Sequence, residues 1–157
     1  MNKTNVMRLL ETAGIPYSLL EYPVDPEDLS GDHVIAVTGR DPAEVFKTLV
    51  MHGEKNGYAV CCIPAREALD LKKAAKAFGE KKVELLPVKE LLRVTGYVRG
   101  GCSPVGMKKP FPTVIDETAQ LCERIFVSAG VRGAMLGVDP QALAAYLHAR
   151  MLDVTEL

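Results

Sequence analysis

The segment Tyr58-Ala59-Val60-Cys61-Cys62-Ile63 is apolar at every position and is stopped by Pro64. A strand with a polar face can lie against water; one without a polar face belongs in the centre of a sheet. The chain must therefore supply enough apolar surface to bury that strand. Its 157 residues, 48% hydrophobic and 25% charged, suit one globular domain over 1–157 with a substantial single core. No internal repeat, low-complexity tract or linker interrupts it.

Around the central strand the local signals alternate between helix and strand. Thr4 caps a helix whose apolar stripe is Val6, Leu9, Leu10 and Ala13, and Gly14 ends it. Residues 15–22 read as a strand broken by Pro23, followed by an acidic, turn-rich segment over 25–32. A short helix is expected over 33–38. Asp41, Pro42 and Glu44 then predict the start of another helix, at whose end residues 46–51, Lys47 among them, pass from helix to strand. Asp70 caps a helix over 71–78 with Leu71, Ala74, Ala75 and Phe78 inward and Lys72, Lys73 and Lys76 outward. Strands over 83–86, 112–116, 124–127 and 134–138, a helix from Pro87 to about 94, and a final helix after Asp139-Pro140 complete the pattern.

The segment with the most chemical promise is Gly96-Tyr97-Val98-Arg99-Gly100-Gly101-Cys102-Ser103-Pro104-Val105-Gly106-Met107-Lys108-Lys109. Glycines permit positive φ, and Pro104 holds Ser103 extended, so amide N–H groups can turn outward onto an anion or a carbonyl oxygen. The commoner role of such a loop is simply to turn the chain. Gly101 and Gly106 are spaced as in a phosphate-binding P-loop, but Met107 precedes the lysine and no Ser or Thr follows, so nucleotide hydrolysis is not expected. The three-glycine dinucleotide fingerprint is absent as well.

Three further residues stand out by position. Lys47 is the one cation between Arg40 and Lys55, in a run that otherwise looks buried. It either snorkels to water or lines a cleft as an ammonium positioned for a phosphate, a hydroxyl or a developing negative charge. Tyr22 sits at the mouth of a strand and is either half-buried packing or a pocket wall. Ser128 ends a strand beside a glycine turn, where a hydroxyl is ordinarily a turn residue but can also meet a ligand.

Charge is uneven along the chain although the formal net is -1. Residues 1–44 carry three Lys or Arg against eight Asp or Glu, whereas residues 66–109 carry eleven against five. The basic middle is either a solvated face or a surface for a polyanion. The four cysteines contain no C-x-x-C pair and the three histidines no metal-type spacing, so neither a metal site nor a disulfide framework is expected. With no leader-like segment and no long apolar run, a soluble cytoplasmic protein without membrane attachment is expected.

Taken together, Phe46-Lys47-Thr48-Leu49, the helix Asp70-Leu71-Lys72-Lys73-Ala74-Ala75-Lys76-Ala77, the stretch 95–109 with its Gly-Tyr-x-x-Gly-Gly-x-Ser-Pro-x-Gly core, and Val127-Ser128-Ala129-Gly130 resemble the YbaK/ProX/EbsC family of aminoacyl-tRNA editing domains, in the family's order. The likeness spans nearly the whole chain and is greatest to the free-standing YbaK branch, the Cys-tRNA(Pro) deacylases. It implies an α/β (mixed α+β) fold with a strongly curved mixed sheet or partial barrel surrounded by helices. It also implies hydrolysis of the ester that joins a wrong amino acid to the 3′ end of proline tRNA, without a cofactor. Carried onto these positions, Lys47 matches the family's essential lysine, Gly100 and Gly101 the loop whose amide meets the substrate carbonyl, and Ser128 the pocket serine. Tyr22, Thr48, Ser103 and Pro104 are the expected substrate-binding residues, with Thr48 against the terminal adenosine. Lys72, Lys73, Lys76, Lys108 and Lys109 are the expected tRNA contacts. Two departures are visible: the Tyr22 to Lys47 interval is about one residue shorter than the family pattern, and Cys102 stands where this branch more often has an aliphatic residue.

Ester hydrolysis needs a nucleophile and a cradle for the oxyanion. The sequence offers donors but no persuasive Ser-His-Asp or Cys-His arrangement. The resemblance implies that the substrate cysteine supplies the nucleophile, its thiol attacking its own carbonyl to leave as a cyclic thioester. Cys102, with no nearby base evident, is expected to be a spacer. Two other functions remain open at this point: removal of alanine or another small residue by water, and a non-catalytic module that grips tRNA and a synthetase. Aminoacylated tRNA(Pro) is the expected partner, prolyl-tRNA synthetase a candidate one, and the expected state is a monomer or weak homodimer.

Overall fold

The computed structural model describes all residues, 1–157. At its centre lies β3 (Gly57–Pro64), the apolar segment, flanked on one side by β2 (Phe46–Gly53) and on the other by β5 (Thr113–Asp116). Antiparallel β2 and parallel β5 make the sheet mixed; β4 (Val83–Leu85) extends it beyond β2, and β8 (Arg150–Leu152) pairs parallel to β5 at the far edge. A second sheet of β1 (Ser18–Glu21), β7 (Ala134–Val138) and β6 (Ile125–Ser128) is antiparallel throughout. The mixed α/β fold is as expected, built on two sheets that one parallel bridge, from Val45 to Phe126, links. No helix is long and apolar enough to cross a membrane.

Burial follows from the side-chain pattern. Cys61 and Cys62 are buried on opposite faces of β3, so each face needs its own core. Cys62 joins the larger core, which β6, β7, α1 (Asn5–Thr12) and α5 (Pro140–Leu147) fill with Val6, Leu10, Ile125, Leu136 and Leu143. Cys61 faces the smaller core with Met51, Ile63, Val114 and the Ala74–Ala75 pair of α3 (Leu71–Ala77). Truncating one of these fully buried leucines to alanine would cost about 2–5 kcal/mol.

Helix starts obey the capping signals. Thr4 Oγ1 accepts from the Met7 N–H at 3.3 Å, and Asp70 Oδ1 accepts from Lys72 and Lys73 N–H, each at 3.0 Å. α2 (Gly31–Thr38) begins two residues before its expected start, because Ser30 caps it through the His33 N–H. Gly31 is required there: a Cβ would fall 2.3 Å from that of Ala65, so glycine lets α2 close on the end of β3. α4 (Val88–Thr95) ends at Gly96, which adopts φ 87°.

Three local expectations are corrected. The cap at Asp41 starts only one 3-10 turn, Pro42–Glu44, since the β-branched Val45 and the Ala65 N–H bond to Val45 O draw the chain at once into β2. Lys47 therefore lies within a strand and not at a helix end. Leu71 is exposed, because α3 meets the sheet through its small alanines. Finally, β8 carries no strong strand signal of its own. Buried Asp116 holds the following turn by accepting from the Val154 N–H at 3.1 Å, and Lys73 Nζ donates to Thr155 O and Leu157 O at 2.7 and 3.2 Å.

Candidate active site

The site grows from an unpaired strand edge. β4 covers β2 only over Met51–Gly53, and the Leu86 N–H closes that pairing on Val50 O at 2.9 Å. Backbone groups of a strand alternate between its two edges, so Thr48 directs its N–H and C=O the same way as Val50, where no strand lies. This edge floors a cleft of about 430 Å³. The first turn of α2, the β4–α4 connection, the Arg99–Cys102 segment and the ends of β6 and β7 form its walls. Tyr22, Lys47, Thr48, Gly100 and Ser128, distant in sequence, all line it.

Lys47 is half-buried and makes no hydrogen bond or ion pair with another side chain. Loss of hydration pushes its ammonium below the usual lysine pKa, and the negative charges of Asp32 and Glu67 offset part of that shift. Such an ammonium attracts an anion or a polarised oxygen far more strongly than one in water. The other cation of the lining is Arg99, and its one carboxylate is Asp32, which accepts at Oδ1 from Arg66 Nε at 2.9 Å.

The glycine loop is held from beneath. Tyr97, half-buried and with its phenol pushed up to about 12 by burial, donates its hydroxyl to Val105 O and so ties the loop's two limbs. Arg132, in the β6–β7 turn, donates Nε to Arg99 O at 2.8 Å. That turn and the loop meet at Gly101, where a Cβ would come within 3.2 Å of the Val131 carbonyl carbon. Gly100 has φ 85°, and its N–H has no protein acceptor.

Several expected contacts are redistributed. The Gly101 N–H donates to Val98 O at 3.0 Å and closes the turn, whereas Gly100, which lines the cleft, has an N–H without a protein acceptor. Ser103 and Pro104 do not line the cleft: both are buried, and Ser103 Oγ accepts from the Val105 N–H at 3.3 Å within the loop's underside. Ser128 Oγ accepts from the Gly130 N–H at 3.1 Å and lines the cleft. The Tyr22 ring stands edge-on to His33 with centroids 6.3 Å apart. None of Lys72, Lys73, Lys76, Lys108 and Lys109 lines the cleft. Lys73 is committed to Asp153 and the C-terminal carbonyls, and Lys108 Nζ donates to Arg93 O at the end of α4.

A protein nucleophile with its base is not assembled here. Burial raises the Cys102 thiol to about 12, and that of Cys62, behind Thr48, also to about 12, so neither is a thiolate near neutral pH. No histidine lines the cleft; His33 Nε2 instead meets Pro23 O at 2.8 Å. Asp32 and Arg99 in the lining, and Tyr97 and Arg132 beneath the loop, join the site without having been expected there. Tyr97 carried a signal, an aromatic side chain inside a glycine loop, whereas the others become meaningful only through contacts across the fold.

Residues 32–146 match the model of the aminoacyl-tRNA editing domain. A relative from Enterococcus faecalis, named as a candidate Cys-tRNA(Pro)/Cys-tRNA(Cys) deacylase, EbsC, is 45% identical over 153 residues, covering 98% of this chain and 93% of that protein. A crystal structure described as that of a candidate trans-editing enzyme for prolyl-tRNA synthetase superposes with a TM-score of 0.84 at 27% identity, over 97% of this chain and 95% of the other. A protein described as hypothetical shares the fold, with a TM-score of 0.87 at 24% identity over 96% and 99% of the two chains.

Proposed function

The chain belongs to the aminoacyl-tRNA editing domain family, and from that premise we propose that its cleft deacylates Cys-tRNA(Pro). The observation that carries this reading is the meeting of Lys47, Thr48, Gly100 and Ser128 in one cleft that lacks a histidine and holds its cysteine protonated. Such a site can orient an ester and stabilise an oxyanion, but it relies on the substrate for the attacking atom.

In the reaction, the cysteinyl thiol sulfur attacks its own carbonyl carbon and the ester C–O bond breaks. The thiol proton ends on the departing ribose oxygen, so a cyclic thioester and free tRNA result. The Gly100 amide receives the carbonyl oxygen, and Lys47 and Ser128 orient the ester and oppose the charge that develops on it. Thr48 meets the terminal adenosine along its open strand edge, and Tyr22 closes the side of the amino-acid pocket. The partner is aminoacylated tRNA(Pro), with prolyl-tRNA synthetase as the enzyme whose errors are removed in the cytoplasm.

The test uses tRNA(Pro) charged separately with cysteine, alanine and proline, following loss of each ester and the mass of the released product. Selective loss of cysteine as a thiolactone is expected. Loss of alanine with cysteine retained would overturn the substrate choice, and release of free cysteine as the first product would overturn the thiol mechanism.

A further inference from the structure

An apolar surface runs from the cleft out onto the solvent side of α4. Leu85, at the end of β4, is 49% exposed; Val88 and Leu92, one turn apart on α4, are 59% and 55% exposed. Leu85 and Val88 also line the cleft, so this rim and the cleft wall form one continuous surface. Adjacent large apolar side chains left uncovered on one helix face mark an interaction site more often than a neutral surface.

Nearby charges indicate the kind of partner. Glu84 is occupied by Lys82 at 3.2 Å and Glu90 by Arg93 at 2.6 Å, while Lys89, next to Val88 on α4, and Arg99, in the cleft lining, have no carboxylate partner. The rim is therefore apolar with unneutralised cations around it. Single-stranded nucleic acid has the complementary chemistry, presenting flat base faces between phosphates. An apolar protein segment would bury the leucines and valine but would leave these cations unmatched.

We propose that Leu85, Val88 and Leu92 form a platform for the unpaired 3′ nucleotides that precede the terminal adenosine of the bound tRNA, with Lys89 and Arg99 meeting their phosphates. This rests on the deacylase reading above and adds where the acceptor strand runs. It moves the RNA contact from the lysines of α3 to the rim of the cleft itself.

Leu92 lies outside the cleft lining, so Leu92→Asp separates the platform from the reaction. Binding of uncharged tRNA is measured with the intact molecule and with one trimmed of its unpaired 3′ nucleotides. Deacylation is followed in parallel on a minimal substrate, cysteinyl-adenosine. Leu92→Asp should weaken intact tRNA by roughly 5–10-fold, leave trimmed tRNA unchanged, and keep the rate on the minimal ester within about twofold. Leu92→Phe, which offers a larger stacking face, should tighten the intact tRNA. Equal weakening of both RNAs, no weakening of either, or an effect that appears only when a synthetase is added would overturn the platform. Failure of the wild-type protein to cleave the minimal ester or Cys-tRNA(Pro) would count against the deacylase reading, while the binding comparison decides the platform by itself.

Discussion

Gly101 packs against the backbone of Val131: a Cβ on the glycine would lie 3.2 Å from the Val131 carbonyl carbon and 3.3 Å from the Arg132 nitrogen. Backbone yields less readily than a flexible side chain, so this contact sets how close the loop can sit to the β6–β7 turn and to Ser128. Gly101→Ala should displace the Gly100 amide by a few tenths of an ångström. We expect a roughly tenfold or larger loss in kcat/KM, with destabilisation of only about 1–2 kcal/mol. Unchanged kinetics in the folded variant would show that the loop amide is not a positioned donor.

The partly desolvated Lys47 ammonium costs folding stability. Lys47→Met should reduce deacylation by about 100-fold or more while raising stability by roughly 0.5 kcal/mol, a small gain because the side chain is only half-buried. The folded-state pKa lies below the unfolded one, so near neutral pH the folded protein bears the full desolvation penalty. As pH rises from the folded pKa towards 10.5, the unfolded chain retains more protons, wild-type stability gains relative to the variant, and the advantage of methionine should fade. Denaturant melts at neutral and alkaline pH test that sign. Asp32→Asn should lower the Lys47 pKa further, since it removes a charge that favours the ammonium; NMR titration of the side chain would show a rise instead if Asp32 acts otherwise.

Tyr97 supports the loop without lining the cleft. Tyr97→Phe keeps the ring against Gly130 but deprives Val105 O of its donor, which should cost about 1 kcal/mol. A several-fold fall in kcat with little change in KM is expected from the less rigid loop. A melting temperature equal to the wild type's would argue against the hydroxyl as a tie.

Cys102 is poised in appearance only, because burial keeps its thiol protonated at neutral pH. Cys102→Val should leave Cys-tRNA(Pro) deacylation within about twofold. Trapping an acyl group on Cys102 of the wild-type protein, or a hundredfold loss in the variant, would contradict a nucleophile supplied by the substrate.

Much of this molecule was determined locally. The all-apolar segment 58–63 had to be central, the Thr4, Asp70 and Asp139 caps start helices where their side chains can accept backbone N–H groups, and 134–138 is a strand over those same residues. The resemblance, resting on residues kept in order along nearly the whole chain, was equally legible before any coordinates. What tertiary structure decided was how donors were used. Gly101 and Gly100 look alike in sequence, but the Gly101 amide closes a turn on Val98 while the Gly100 amide does not. Ser103 and Ser128 both look available, but Ser103 is buried under the loop and Ser128 lines the cleft. Lys73 resembled a surface lysine until the C-terminal carbonyls reached it from more than eighty residues away. The division has a physical basis. Periodicity and capping depend on neighbours within a few residues, whereas a hydrogen bond or a desolvated charge depends on whichever distant atoms the fold brings within about 3 Å.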